Sequence, residues 1–338
     1  MKALLLSGGK GTRLRPFTLT TPKPLLPIAN IPLITWQFEF LKRYGITEII
    51  VGVGYKPESF KKTVEEIAGK MEIKTHLSIE NTPLGTGGGF RNAYPFFKED
   101  TEPFVVLNGD VIGDFNLNQI MAFHREKGAD ITIGLTKINN PSSYGLIITD
   151  SNMGVKKFIE KPKPEEIVCD TINAGLYIFT PKIFSEIPAG KNISIEKEVF
   201  PALLKNGKKI YGVIHNGYWV DVGTVAKYKQ TNFDALEGKT GIYSIRGQGD
   251  NFLAGDNSVL KEDVQIKGRV IIGNNCAVGN GCVLEESIIM NNTIIRDRVV
   301  IKNSVVGTDV AIENDSVIDN MILADKSLVR PFTQPMRD

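Results

Sequence analysis

The sequence predicts an α/β protein, with a mixed and mostly parallel sheet covered by helices on both faces, followed by a hexapeptide β-helix. Two observations carry this expectation. Short apolar runs alternate with amphipathic stretches through the first half of the chain, which is the order of a parallel sheet with crossover helices. From Val264 an apolar or small residue returns at every sixth position, and three such hexads make one triangular coil.

The elements follow in order. Lys2-Ala3-Leu4-Leu5-Leu6 is a short buried strand that runs into glycines. Residues 32–44 form a helix with Pro32 in its first turn and Gly45 just past its end. Strands are expected near 49–53, 73–79 and 104–107, with helices near 58–68, 90–97 and 117–127. The pattern then becomes richer in strands, near 131–137, 145–149, 155–159 and 176–179, before helices near 195–205 and 225–236. A domain spanning 1–237 would carry the chemistry. Residues 238–263 read as a turn-rich linker with at most a strand or two. Residues 264–338 hold the β-helix, whose column runs Val264, Val270, Cys276, Cys282, Ile288, Ile294, Val300, Val306, Ile312, Ile318 and Ala324. The partner column two residues on turns polar at Arg296 and Lys302, so an irregular coil is expected near 294–302.

Composition narrows the function. The 338 residues are 42% hydrophobic and 23% charged, as expected of globular domains with sizeable cores. Forty basic against 38 acidic residues give a net charge of +2, so any basic site must be local rather than a bulk attraction to nucleic acid or membrane. The apolar start is too short for a signal-peptide core, and no stretch reaches the roughly 18 apolar residues of a membrane span, which points to the cytoplasm. Cys169, Cys276 and Cys282 lack metal-ligand spacing and are expected to be reduced and buried.

The chemistry centres on Leu6-Ser7-Gly8-Gly9-Lys10-Gly11-Thr12-Arg13-Leu14-Arg15-Pro16 and its sequel Thr21-Pro22-Lys23-Pro24-Leu25. Three glycines in four positions at a strand's end let backbone N–H groups converge on an anion, and Lys10, Arg13, Arg15 and Lys23 add charge. Neither a Walker A loop nor a dinucleotide fingerprint fits: Leu14 stands where the latter needs a third glycine. Two further carboxylates end apolar runs, Asp110 in Asn108-Gly109-Asp110 and Asp221 in Trp219-Val220-Asp221-Val222-Gly223-Thr224. Alone, each is a helix cap or turn residue; together with phosphate oxygens they make the oxygen-rich site that Mg²⁺ prefers. Glu160-Lys161-Pro162 reads, by itself, as a surface ion pair worth at most about 1 kcal/mol. His76, His124 and His215 lie outside every motif and are expected to be structural.

Taken together, these motifs resemble the signature of nucleotide-sugar pyrophosphorylases, nucleotidyltransferases that join an NTP to a sugar 1-phosphate. The resemblance implies the Rossmann-like nucleotide-diphospho-sugar transferase fold. It implies that Leu6, Gly8, Gly9, Gly11, Thr12, Arg13, Glu80, Pro83, Gly85, Asn108 and Asp110 meet the nucleotide. Lys23, Gly109, Gly145, Glu160, Lys161, Asn173 and Asp221 would meet the sugar phosphate, Arg13, Lys23 and Lys161 would be catalytic, and Asp110 and Asp221 would hold Mg²⁺. The nucleophile is already anionic, so cations and positioning matter more than a general base.

The likeness is closest to mannose-1-phosphate guanylyltransferases, which also carry a left-handed hexapeptide β-helix, and the segment Ile193 to Pro201 resembles one typical of them. Glu80 favours GTP, because a carboxylate accepts from both N1–H and N2–H₂ of guanine. The expected substrates are therefore GTP and mannose 1-phosphate. Gly87-Gly88-Gly89 also resembles some muramate uridylyltransferases and heptose guanylyltransferases, and Gly223-Thr224 replaces a more usual Gly-Gln. The alternatives are a uridylyl- or thymidylyltransferase acting on glucose 1-phosphate or another sugar phosphate, or a non-catalytic regulatory homologue. The β-helix has no histidine to serve acyl transfer, since none follows His215. A role in homo-oligomer assembly remains, because the unpaired edges of a coil must be covered.

Overall fold

A computed structural model of the chain describes residues 1–54, 57–243, 245, 247, 249 and 251–335, apart from the side chains of residues 57 and 59. It divides into two compact units, Met1–Lys10 with Ile34–Asp221, and Gly11–Leu33 with Val222–Asp338. The division falls inside the glycine loop, between Lys10 and Gly11.

In the first unit, the strand Lys2–Leu6 lies between Glu48–Val53 and Phe104–Asn108 and is parallel to both. Glu48–Val53 is in turn parallel to Lys74–Ile79. Lys2–Leu6, Glu48–Val53 and Phe104–Asn108 are near-continuous apolar runs because helices cover both faces; Leu4, Leu5, Ile50, Val51, Val105 and Val106 have no exposed surface. Thr171–Phe179 pairs antiparallel with both Phe104–Asn108 and Ile131–Lys137, and the hairpin Gly145–Thr149 with Val155–Glu160 completes that side. Ile210–His215 adds a parallel strand against Ile131–Lys137.

The helix Leu33–Arg43 buries Leu33, Ile34, Trp36, Phe38 and Leu41, and the Gly45 N–H closes its last turn onto the Lys42 carbonyl at 2.9 Å with Gly45 at φ 72°. Under the sheet, Phe184 stacks on Phe90 and Phe104 with ring centroids 4.5 and 5.4 Å apart. The residues 90–97, expected as one helix, split. The helix runs earlier, Gly85–Asn92, and is followed by a 3-10 turn, Tyr94–Phe96, with Pro95 at its centre. Each histidine has a structural partner: His76 faces Glu48 at 3.0 Å, His124 faces Thr132 at 2.9 Å, and His215 faces Asp114 at 3.1 Å.

In the second unit, Gly11–Leu33 forms three 3-10 turns and a short hairpin, Pro27–Ile28 with Ile31–Pro32. It packs on the helix Val225–Leu236. The Tyr228 hydroxyl donates to the Pro27 carbonyl at 2.6 Å, and the Ala29 N–H donates to Asn232 Oδ1 at 2.8 Å. The same segment touches the β-helix, where Asn30 donates to the Ile272 carbonyl at 2.7 Å and the Thr20 hydroxyl bonds Asp325.

All strand pairs of the C-terminal part are parallel and stack coil upon coil. One finding agrees with the sequence reading and one corrects it. The turn-rich segment 238–263, part of which lies outside the described residues, contains the strands Phe252–Ala254 and Val259–Leu260, both already paired to the following coil. The coil length also changes. Val259 pairs with Ala277, 18 residues on, but Ala277, Ile294 and Ala311 each pair 17 residues on. The shortening recurs at the left-handed residues Glu286, Asn303 and Asn320, in place of one irregular coil at 294–302. A strict sixth-residue column therefore slips off the interior: Ile294 is 42% exposed and Ile295 is 1%.

Cys276 and Cys282 are buried, Cys169 is half-buried, and all three are free thiols. Among the described residues no helix is long and apolar enough to cross a membrane.

Candidate active site

The site of the first unit is built at the C-terminal ends of the parallel strands, where ligands bind in open α/β sheets. Leu6 pairs with Asn108, and the Gly109 N–H donates to the Leu6 carbonyl at 2.9 Å, so the loops after the two strands leave side by side. Gly109 has to be glycine here, because a Cβ would stand 2.8 Å from the Leu6 carbonyl oxygen. Ser7 Oγ and Asn108 Oδ1 are buried at these ends with no hydrogen-bond partner among the described residues. Buried polar atoms left unpaired in this way point to a ligand.

Asp110 and Asp221 are brought together by a short antiparallel ladder. Trp219–Asp221 pairs with Val111–Gly113, and Asp221 stands opposite Val111, one residue from Asp110. The turn before it is fixed from below by Gln37, whose amide donates to the carbonyls of Asn108 at 2.9 Å and Val111 at 3.1 Å. Gln37 is a support of this turn that the sequence reading passed over. Its signal was a polar residue amid the apolar face Trp36-Gln37-Phe38, and it is 1% exposed. Two carboxylates, with the amide oxygen of Asn108 just before Asp110 in the chain, are the hard oxygen donors that suit a divalent cation completed by phosphate oxygens.

Glu80 follows directly on the strand Lys74–Ile79 and lies against the glycines. A Cβ on Gly8 or on Gly89 would stand 2.6 Å from Glu80 Oε1. The Leu84 N–H donates to the other carboxylate oxygen at 3.1 Å. Burial pushes the Glu80 carboxyl above its usual range, against the smaller pull of that N–H. Pro83 is exposed and Gly85 opens the glycine helix at φ 69°.

On the other flank Gly145 pairs with Glu160, and a Cβ on Gly145 would be 2.7 Å from Glu160 Oε2. Asn173 is held by the Gly175 N–H at 2.9 Å and donates to the Tyr177 hydroxyl at 2.9 Å. Lys161 follows at φ 51°, a left-handed conformation costing a lysine roughly 1 kcal/mol, and is exposed. Burial raises the Glu160 carboxyl, and the neighbouring Glu196 raises it further. Glu196 is a second residue missed in the sequence. It sits in a π-turn, Ile195–Val199, and accepts from Thr86 and Ser194, both at 2.8 Å.

The remaining sequence candidates, Gly11, Thr12, Arg13 and Lys23, belong to the second unit. There Gly11 (φ 62°) packs under the Lys23 stem, a Cβ being 3.2 Å from Lys23 Cβ, while Thr12 and Arg13 are exposed.

A mostly parallel sheet with its site at the strand ends, joined in one chain to a parallel β-helix, defines an α/β protein with a β-helical extension. The Nucleotidyl transferase family matches residues 2–238, and the GMPPB C-terminal domain matches residues 249–332. The chain belongs to the Nucleotidyl transferase family. It is 44% identical over 222 residues to the mannose-1-phosphate guanylyltransferase catalytic subunit beta of Drosophila pseudoobscura pseudoobscura, covering 66% of this chain and 59% of the fly protein. It is 39% identical over 246 residues to the mannose-1-phosphate guanylyltransferase of Mycobacterium tuberculosis, covering 72% and 67%. The match thus spans about six-tenths of the fly relative's length. HddC from Yersinia pseudotuberculosis superposes with a TM-score of 0.60 at 27% identity, over 68% of this chain and 97% of HddC. HddC complexed with GMP-PN superposes with a TM-score of 0.58, with the same identity and coverage.

Proposed function

We propose that this protein is a sugar-1-phosphate nucleotidyltransferase that makes GDP-mannose and pyrophosphate from GTP and mannose 1-phosphate. The observation that carries the reading is the ladder that sets Asp221 beside Asp110 at the ends of the parallel strands, next to the glycine loop. Gly8 and Gly9 leave backbone N–H groups open toward phosphate. Glu80 accepts from the guanine edge, and Pro83 and Gly85 line the base. Glu160, Asn173 and the Gly145 backbone take sugar hydroxyls, and Lys161 meets the sugar phosphate. Arg13 and Lys23 neutralise the triphosphate, so that an oxygen of the sugar phosphate attacks the α-phosphorus in line and pyrophosphate leaves. Asp110 and Asp221 are the residues that would hold Mg²⁺, which when bound supplies charge neutralisation to the reacting phosphates.

The guanylyltransferase relatives and the GMP-PN complex of HddC support the choice of base and sugar. The transfer chemistry is assigned to residues 1–237, residues 238–263 are the connection, and residues 264–338 form an assembly surface for a homo-oligomer in the cytoplasm. Pyrophosphate release from GTP tests the reading. It should require both mannose 1-phosphate and a divalent cation; release without the sugar phosphate, or none with both present, would contradict it.

A further inference from the structure

Tyr144 lies just before the sugar-side strand Gly145–Thr149, and its two polar groups face two different parts of the site. Its hydroxyl donates to Asp221 Oδ1 at 2.7 Å. Its carbonyl accepts from the Lys161 N–H at 3.0 Å, at the point where Lys161 takes its left-handed conformation. The ring meets Trp219 edge-on, with centroids 5.7 Å apart and planes at 64°. Trp219 is pinned in turn, its indole N–H donating to the Ala174 carbonyl at 2.8 Å, next to Asn173. One side chain is thus held by packing against the Asp221 strand, while its main chain holds the proposed phosphate-binding lysine.

A carboxylate at the end of a three-residue strand has rotamer freedom that a metal ligand has to lose. A phenol that donates to one oxygen removes part of that freedom and leaves the second oxygen for other partners. A hydrogen bond to a charged acceptor is also among the stronger ones available to a side chain. Since a bound ligand has to be oriented by groups behind it, such partners set metal affinity even though they never touch the metal.

We propose that Tyr144 is a positioning residue that orients Asp221 for the divalent cation and ties its placement to that of Lys161. The inference rests on the reading of Asp110 and Asp221 as the metal ligands. It assigns to the hydroxyl the metal side of the site and to the ring and main chain the sugar side.

The test measures Mn²⁺ binding to the full-length protein by electron paramagnetic resonance, beside the Mg²⁺ dependence of the rate, in wild type, Tyr144→Phe and Tyr144→Ala. Tyr144→Phe keeps the ring and should raise the Mn²⁺ dissociation constant and the half-saturating Mg²⁺ concentration about tenfold. It should leave KM for the sugar phosphate within about twofold. Tyr144→Ala removes the ring that steadies Trp219, and should raise that KM as well. Equal Mn²⁺ affinity in wild type and Tyr144→Phe would overturn the proposal alone. Wild-type protein that binds no Mn²⁺ would overturn the metal reading beneath it, and the proposal with it.

Discussion

The carboxylate of Glu80 occupies the space that a side chain on Gly89 would need, with Oε1 2.6 Å from where a Cβ would stand. Gly8 faces the same oxygen at the same distance, so Glu80 is wedged between the glycine loop and the glycine helix. The third glycine of Gly87-Gly88-Gly89 therefore has a steric reason. Gly89→Ala should push the carboxylate out of place and raise KM for GTP about tenfold, the size of one misplaced charged hydrogen bond, with KM for the sugar phosphate little changed. Steady-state kinetics with each substrate varied in turn would show it; an unchanged KM for GTP would remove Glu80 from base recognition.

Burial raises the Glu80 carboxyl above the usual 4.5, so the proton is held more tightly in the folded protein than in the unfolded chain. Its contribution to stability is present below 4.5 and lost as pH rises through the raised value. Guanine recognition runs the other way, because it needs the anion. KM for GTP should climb as pH falls through that raised value, earlier than an ordinary glutamate would cause, and the climb should flatten in Glu80→Gln. A pH profile of kcat/KM for GTP measures this.

His124 is 2% exposed, and burial lowers its pKa from 6.5 to about 4, with Asp130 opposing and Arg125 and Lys182 assisting. Its Nδ1 faces Thr132, and its Nε2 has no partner among the described residues. The unfolded chain takes the proton first, so the stability due to neutral His124 is present above 6.5 and is lost as pH falls toward about 4. The full shift corresponds to roughly 3 kcal/mol. Urea unfolding between these limits should show the loss in wild type and a shallower one in His124→Phe.

Asp110→Asn and Asp221→Asn remove ligand charge with little change of shape. Each should lower kcat by about a hundredfold or more with the melting temperature nearly unchanged. Lys161→Ala should instead act mainly on kcat/KM for the sugar phosphate, by loss of one charge contact. Near-normal turnover in any of the three variants would remove the role assigned to that residue.

The parallel strands were legible because apolar runs such as Leu4-Leu5-Leu6 and Val105-Val106-Leu107 are bounded by turn residues. The two-stranded ladder that joins Asp110 to Asp221 was not, since three residues such as Trp219-Val220-Asp221 are too few to show a period. The roles of Tyr144 and Glu196 were hidden for a different reason. Their partners, Asp221 and Thr86, are 77 and 110 residues away in the chain, and only the folded sheet brings them near. In the β-helix the hexad was visible, but the 17-residue coil was not. Glu286, Asn303 and Asn320 shorten one corner each time by adopting a left-handed turn, and Asn and Glu there look like ordinary exposed residues. The same corner explains why Ile294 faces out although it keeps the six-residue count.

One competition decides both base and sugar. Purified full-length protein is given equal concentrations of GTP, UTP, dTTP and ATP together with mannose 1-phosphate and glucose 1-phosphate and Mg²⁺, and the nucleotide sugars formed are separated and identified by mass. GDP-mannose is the expected main product, accumulating in step with pyrophosphate. A mixture dominated by UDP-glucose or dTDP-glucose, or one in which no nucleotide sugar forms, would contradict it.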